Sequence, residues 1–341
     1  MSAAAAHIPV MAREAIDALN VRDGGVYVDA TFGAGGYTKA VLNAADCSVY
    51  AFDRDPRAIA AANDWSGDYG ERLVLVNRPF AEMEQALEDN GIEKVDGVVL
   101  DLGVSSMQLD EADRGFSFRH DGPLSMRMDG ARPDAADVVA IADGRQLAAI
   151  FKAYGEEKKA GRIARAIVAA RETAPIVTTG ALAKIVEQAN PPRGPSKIHP
   201  ATRVFQALRI FVNDELGQLV AALRAAERLL KPAGRLVVVT FHSLEDRIVK
   251  RFFSARSQTR SRGTRHLPEQ APPPATFHLL STKARAASPE EAAQNPRARS
   301  AKLRAGERLA ARAHDGAGED LGAPRHSDLP DLEGVSVKCS D

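Results

Sequence analysis

Val28-Asp29-Ala30-Thr31-Phe32-Gly33-Ala34-Gly35-Gly36-Tyr37-Thr38 is the stretch that decides the fold. The β-rich run Val26–Asp29 leads directly into a glycine cluster, and a helical pattern opens behind it. A strand that turns through glycines into a helix is the first unit of a doubly wound sheet, whose ligands bind at the carboxyl edge of the strands. Glycine lets the backbone adopt φ > 0 and approach a ligand closely. A dinucleotide fingerprint would place its third glycine at position 38, where this chain has Thr38. The spacing counts against NAD and leaves a different nucleoside ligand, or an ordinary strand–helix turn.

The chain outward from this stretch keeps alternating. Ser48–Asp53, Leu73–Val76 and Val95–Asp101 read as further strands, with helices opening at Pro56 and running from Ala81 to Asn90. Nearly continuous apolar strands between helices predict an α/β fold with a parallel sheet covered on both faces. Gly103–Asp134 reads as a long ordered loop, a kind of segment that is usually functional. Helices follow over Arg145–Tyr154, Lys158–Arg171, Gly180–Gln188 and Ala201–Val212. Alternation resumes with a helix over Asp214–Leu230, a fifth strand over Arg235–Phe241 and a helix over Glu245–Ser254. Thr276–Ser281 and Ala298–Arg304 are candidates for two late strands, whereas Thr259–Pro274 and Asp315–Asp341 are expected to lack fixed structure. The expected organisation is a sheet domain over 1–104 and 214–314, the second part carrying a basic segment. A helical insertion spans 105–213 and a tail spans 315–341.

Composition bounds the class. The 341 residues suggest about two domains, and 45% hydrophobic residues suffice for a sizeable core. Lys plus Arg and Asp plus Glu are each 45, so the net charge is zero, which alone argues against a nucleic-acid partner. The balance is uneven: Arg247–Arg312 holds 15 Lys/Arg against 4 Asp/Glu. Such a block suggests an anionic partner or a solvated face. The two cysteines, Cys47 and Cys339, are too few for a disulfide framework or a zinc site, so no metal is expected. No apolar run reaches membrane length and the N-terminus lacks a signal-peptide pattern, so a soluble cytoplasmic protein is expected.

Two carboxylates end strands beside the glycine loop. Asp53 is suited to accept hydrogen bonds from both hydroxyls of a ribose, while Asp55, just before Pro56, can cap the next helix. Asp101 opens Asp101-Leu-Gly-Val-Ser-Ser106 and can accept hydrogen bonds from an amino group. His120 and His242 are present, yet no G-x-S-x-G elbow surrounds Ser105 or Ser106, which disfavours hydrolase chemistry.

Ten motifs then match one family in order. They include Asp29–Gly36, Phe52–Pro56, Asp101–Ser106, Arg114–Phe118, Gly122–Asp129 and Tyr154–Glu157. Arg162–Ile167, His199–Arg209, Phe241–Arg247 and Asn295–Ser300 complete the set. From about His7 to Arg312 the chain resembles the RsmH (MraW) family, bacterial methyltransferases acting on the N4 amino group of a cytidine in small-subunit rRNA near the decoding centre. The resemblance implies a class I, Rossmann-like S-adenosylmethionine methyltransferase sheet with a helical insertion that recognises substrate. It implies cofactor contacts at Gly33, Gly35, Gly36, Tyr37, Asp53, Phe80, Asp101 and Gln108. The family usually has His where this chain has Tyr37, which is harmless if the backbone makes the contact.

For the reaction, Asp101 is the candidate catalytic residue, accepting a hydrogen bond from N4. Holding the methionine amino group is its competing role. Phe116 and Phe118 are either replacements for a missing base-stacking aromatic or buried under the loop. Arg251, Arg256, Arg260, Arg262 and Arg265 are candidates for phosphate contacts, with Arg203 and Arg209 as helical ones. The expected partner is small-subunit rRNA or the assembled 30S subunit, with no membrane and with oligomeric state open, a dimer included. The alternatives are an NAD-type oxidoreductase and a catalytically silent RNA-binding module on the same fold.

Overall fold

A computed structural model describes residues 9–130, 133–191, 199–257, 273–316 and 320–324. The elements up to the end of the fourth strand are α1 (Ala12–Leu19), β1 (Val26–Asp29), α2 (Gly36–Ala44), β2 (Ser48–Phe52), α3 (Pro56–Ala61), β3 (Leu73–Val76), α4 (Met83–Asp89) and β4 (Val95–Asp101). Helices follow: α5 (Ser106–Asp110), α6 (Ala135–Ile141), α7 (Gly144–Gly155), α8 (Ala160–Arg171), α9 (Thr179–Ala189), α10 (Thr202–Asn213) and α11 (Glu215–Leu229). The chain continues with β5 (Leu230–Thr240), α12 (Ser243–Ser257), β6 (Phe277–Leu279), β7 (Arg285–Ala286), α13 (Pro289–Gln294) and β8 (Lys302–Arg308). Two compact units result: one runs to Gly103 and resumes over Gln218–Ala323, the other is built on Val104–Gly217.

The first unit is an eight-stranded sheet ordered β3-β2-β1-β4-β5-β8-β6, with β7 paired to β8. β3 to β5 run parallel and β8 is antiparallel to β5. The order reverses between β1 and β4, the switch point where doubly wound sheets open a ligand crevice at the carboxyl edge. This is the Rossmann-like arrangement of class I methyltransferases. The central strands are apolar throughout because both faces are covered: Val98, Val99, Leu100, Val237 and Val238 are all buried. α1, which the motif reading leaves out, packs Leu19 so close to β4 that a Cβ at Gly97 would lie 2.7 Å from it. None of the described helices is long and apolar enough to cross a membrane.

Three boundaries differ from the sequence reading. Lys231-Pro-Ala-Gly234 looks like a stop, but β5 begins at Leu230 and absorbs these residues in a register shift against Val95 and Gly97. Ala298 lies in a 3₁₀ turn over Pro296–Ser300, and β8 begins only at Lys302. The chain also stays packed beyond Asp315: Arg224 donates to the Gly316 carbonyl at 3.0 Å, and Leu321 is buried. Of the two segments expected to lack fixed structure, positions 259–272 and 325–341 lie outside the described residues.

The second unit is helical around Leu147, Ile150, Phe151, Ile163, Ile167, Leu182, Val186, Val204 and Leu208. It holds the segment from Val104 to Asp134 in place by burying Phe116, Leu124 and Met126 and by polar contacts, with α5 as its short helix. Arg114 donates to the Met128 carbonyl at 3.0 Å, and Asn213 Nδ2 donates to the Met126 carbonyl at 2.7 Å. Thr179 N–H donates to the Gly122 carbonyl, and Leu124 N–H to that of Val177, each at 2.9 Å. Gly115, at φ +73°, lies against the Pro123 carbonyl, so any Cβ there would collide with backbone.

Candidate active site

The glycine loop is tied to the strand ends on both sides. Gly33 and Gly35 have φ of +53° and +77°, conformations that other residues adopt at a cost. Gly33 N–H donates to Asp53 Oδ2 at 2.8 Å, linking the end of β1 to the end of β2. On the other side Thr31 Oγ1 accepts the Asp101 N–H at 2.6 Å, linking the loop to the end of β4. Asp29 is buried and accepts from Thr38 Oγ1 at 2.7 Å and from Thr31 N–H at 3.1 Å. Thr38, which spoils the dinucleotide fingerprint, is thus the partner that satisfies a buried carboxylate. Burial pushes the Asp29 carboxyl up to about 6 in pKa, its hydrogen bonds opposing the shift. Neither Thr31 nor Thr38 is a candidate on sequence; their place in the motif is the available signal.

Asp53 is half-buried, and both its oxygens are already engaged: Oδ2 by Gly33 N–H, Oδ1 by Asp55 N–H at 2.8 Å. Each carboxylate oxygen keeps a second lone pair, so the group remains able to accept from a ribose while its orientation is fixed. Burial raises its pKa to about 6. Asp55 caps α3 by accepting from Arg57 N–H at 3.0 Å. α2 opens at Gly36, and the free N–H groups of a first helical turn favour anionic or electron-rich ligand atoms. Tyr37 is buried there and its hydroxyl donates to the Val10 carbonyl. Its side chain is therefore committed to the protein, which leaves the backbone as its means of touching a ligand. Phe80 is half-buried just beyond β3, in a short 3₁₀ turn over Phe80–Glu82.

Asp101 differs from the other two carboxylates. Its Oδ1 is sealed from solvent and has no hydrogen-bond partner among the described residues. Burial, with the carboxylates of Asp29 and Glu245, holds its pKa well above the usual range. A sealed acceptor without a donor is costly, and an N–H group from a ligand would satisfy it. In the second unit, Gln108 is buried and its Oε1 accepts the Ser105 N–H at 3.1 Å, closing a capping box at the start of α5.

Most described cations of the basic segment are exposed, Arg247, Lys250, Lys283 and Arg312 among them, but several are folded inward or paired with acids. Arg256 is fully buried, with Nε donating to Glu227 Oε2 at 2.9 Å and its guanidinium 4.4 Å from the Phe252 ring centre. Arg308 is buried too, donating to the Glu227 carbonyl at 2.8 Å. Lys302 and Arg304 both pair with Asp246, at 3.1 and 2.8 Å. Glu227 and Asp246, which engage these bases, both lie outside the window in which the bases cluster. Arg256 thus cannot meet a phosphate, Arg251 is exposed, and Arg260, Arg262 and Arg265 lie outside the described residues. In the second unit Arg209 is committed to Glu215 through two bonds of 2.8 Å, while Arg203 is exposed. Phe116 is buried; Phe118 is partly exposed.

The model of the MraW methylase family matches residues 4–309. The chain belongs to the MraW methylase family. Two relatives, from Parvibaculum lavamentivorans and Rhodopseudomonas palustris (strain BisB18), are each named Ribosomal RNA small subunit methyltransferase H. The first is 54% identical over 98% of this chain and 97% of its own, the second 57% over 93% and 95%. Among solved structures, an rRNA methylase from Streptococcus thermophilus aligns over 87% of this chain and 93% of its own, at 11% identity and a TM-score of 0.39. As an MraW methylase the chain uses S-adenosylmethionine. The fixed Asp53 and the opened N-terminus of α2 fit the ribose and carboxylate groups of that cofactor, and the unsatisfied Asp101 oxygen fits an amino donor, of the cofactor or of the methyl acceptor.

Proposed function

We propose that this protein methylates the N4 amino group of a cytidine in small-subunit rRNA near the decoding centre, in the cytoplasm, on free rRNA or the assembled 30S subunit. The observation that carries the reading is the bonded set at the switch point: glycine loop to Asp53, glycine loop to Asp101, and a sealed Asp101 oxygen awaiting a donor. Relatives carrying the small-subunit methyltransferase name over nearly their whole length support the substrate class.

When bound, S-adenosylmethionine supplies a sulfonium methyl that is electrophilic without further activation. The protein's work is to bind, orient and manage one proton. Asp53 holds the ribose hydroxyls, Gly33, Gly35, Gly36 and the Tyr37 backbone line the methionine side, and Phe80 covers the adenine. Gln108 fixes the start of α5, the helix that follows Asp101 in the chain. Asp101 accepts a hydrogen bond from the cytosine N4 and takes the proton that N4 sheds as its new N–C bond forms. Burial and neighbouring carboxylates make it a better proton acceptor than an ordinary aspartate.

The test is methyl transfer by the purified protein to 30S subunits, with nucleosides identified by mass. The expected product is N4-methylcytidine. Asp101→Asn should lower kcat about 100-fold, a typical contribution of a positioned base, and leave cofactor affinity near its original value. Loss of cofactor affinity with kcat intact would instead assign Asp101 to the methionine amino group.

A further inference from the structure

The second unit carries an aromatic and basic cluster apart from the cofactor residues, built around Phe118 and Arg203, candidates for base stacking and phosphate contact. Phe118 meets His199 with ring centres 4.7 Å apart and Phe205 at 4.8 Å, the latter edge-on. Phe205 is buried and holds the group from beneath, whereas Phe118 and His199 are both partly exposed. His199 Nδ1 accepts the Ala201 N–H at 3.1 Å, so the ring proton resides on Nε2. That Nε2–H donor has no partner among the described residues. The cluster thus has two rings that reach the surface and one oriented, unused donor.

Exposed cations lie on the segments that carry it and on the junction tied to them. Arg203, four residues beyond His199 and already in α10, is exposed and donates to the Glu156 carbonyl at 3.1 Å. This bond ties the start of α10 to the α7–α8 junction, where Lys158, Lys159 and Arg162 are all exposed and have no carboxylate partner among the described residues. Arg119, next to Phe118, is exposed as well. The acids at this junction are Glu157, which is buried and accepts the Lys159 N–H at 2.7 Å, and Glu156, which is exposed beside the lysines.

We infer that Phe118 and His199 form a stacking platform for an unpaired base of the RNA, with Arg119, Lys158, Lys159, Arg162 and Arg203 taking adjacent phosphates. The inference rests on the RNA substrate proposed above. Rings that accept any base face, beside cations that follow the backbone, are the means by which proteins hold single strands. The His199 Nε2–H adds a donor for a base-edge acceptor such as a cytosine O2 or N3. A base can stack here only if it is out of its helix, so the platform selects single-stranded loops over duplex.

The experiment uses the full chain and a short single-stranded RNA carrying 2-aminopurine, whose fluorescence falls on stacking, with a matched duplex as control. His199→Ala and Phe118→Leu should each weaken single-strand binding about tenfold, as loss of a stacking ring does, and abolish the quenching. Duplex binding, cofactor affinity and Tm should hold. Since His199 is partly exposed, its variant keeps the test valid if Phe118→Leu does not fold. Unchanged binding and quenching in His199→Ala would overturn the platform, as would a loss of binding that only follows a loss of Tm. Methyl transfer by the unaltered protein is measured in parallel. Its absence would refute the proposed reaction, while the quenching result judges the platform on its own.

Discussion

Arg256 and Lys158 are both cations, yet one is sealed in the core against Glu227 and the other stands in water without an acid partner among the described residues. The C-terminal segment has the greater density of positive charge along the chain, and three of its cations, Arg256, Lys302 and Arg304, are taken up by Glu227 and Asp246. The α7–α8 junction has fewer cations and leaves them available. Charge that can meet RNA thus depends on where the acids fold as well as on how closely the bases follow one another.

The largest effect should come from breaking the buried side of this contrast. Arg256→Ala leaves Glu227 buried without its ion partner and should cost about 3–5 kcal/mol of stability, read by denaturant unfolding. A change under about 1 kcal/mol would mean that Arg256 is not held as described. Next comes the cofactor edge, where Asp53→Ala removes an acceptor of two charge-assisted hydrogen bonds and should weaken S-adenosylmethionine binding about 100-fold. The same carboxylate predicts a pH effect. Its pKa in the folded protein is raised to about 6, and ribose hydroxyls favour the ionised form. Cofactor affinity should therefore rise as pH increases from about 5 to about 7, with proton release visible by calorimetry in buffers of different ionisation enthalpy. The raised folded pKa of Asp29, also about 6, has the opposite sense for stability: protonated Asp29 favours the fold, so its contribution is lost as pH rises towards and through 6. The smallest effect concerns the exposed cations. Changing Lys158, Lys159 and Arg162 together to Ala should leave Tm unchanged and make the log–log salt slope of RNA binding shallower by about 2, at about 0.7 per phosphate on single strands. An unchanged slope would return the phosphate contacts to Arg251 and its neighbours.

The sheet is readable because apolar strands alternate with helices and because Gly33, Gly35 and Gly36 follow one of them. Asp53 and Asp101 are readable as carboxylates at strand ends. What ties them together is not, since the bonds from Gly33 N–H to Asp53 and from Asp101 N–H to Thr31 pair a side-chain acceptor with a backbone donor that every sequence has. The start of β5 is misread at Lys231–Gly234 because the proline and glycine that end helices also fit a strand irregularity. The fate of Arg256 is hidden for another reason: its partner Glu227 lies 29 residues away on a different helix. Phe118 is visible only as one of two aromatics in a loop, and pairing with His199 requires the fold.

The most direct test of the proposed reaction is mass spectrometry of 16S rRNA nucleosides and fragments from cells lacking the gene, complemented by the unaltered protein or by Asp53→Ala. N4-methylation of one cytidine near the decoding centre should vanish without the gene, return with the unaltered protein and stay absent with the variant. An unchanged modification profile in cells lacking the gene would contradict the account.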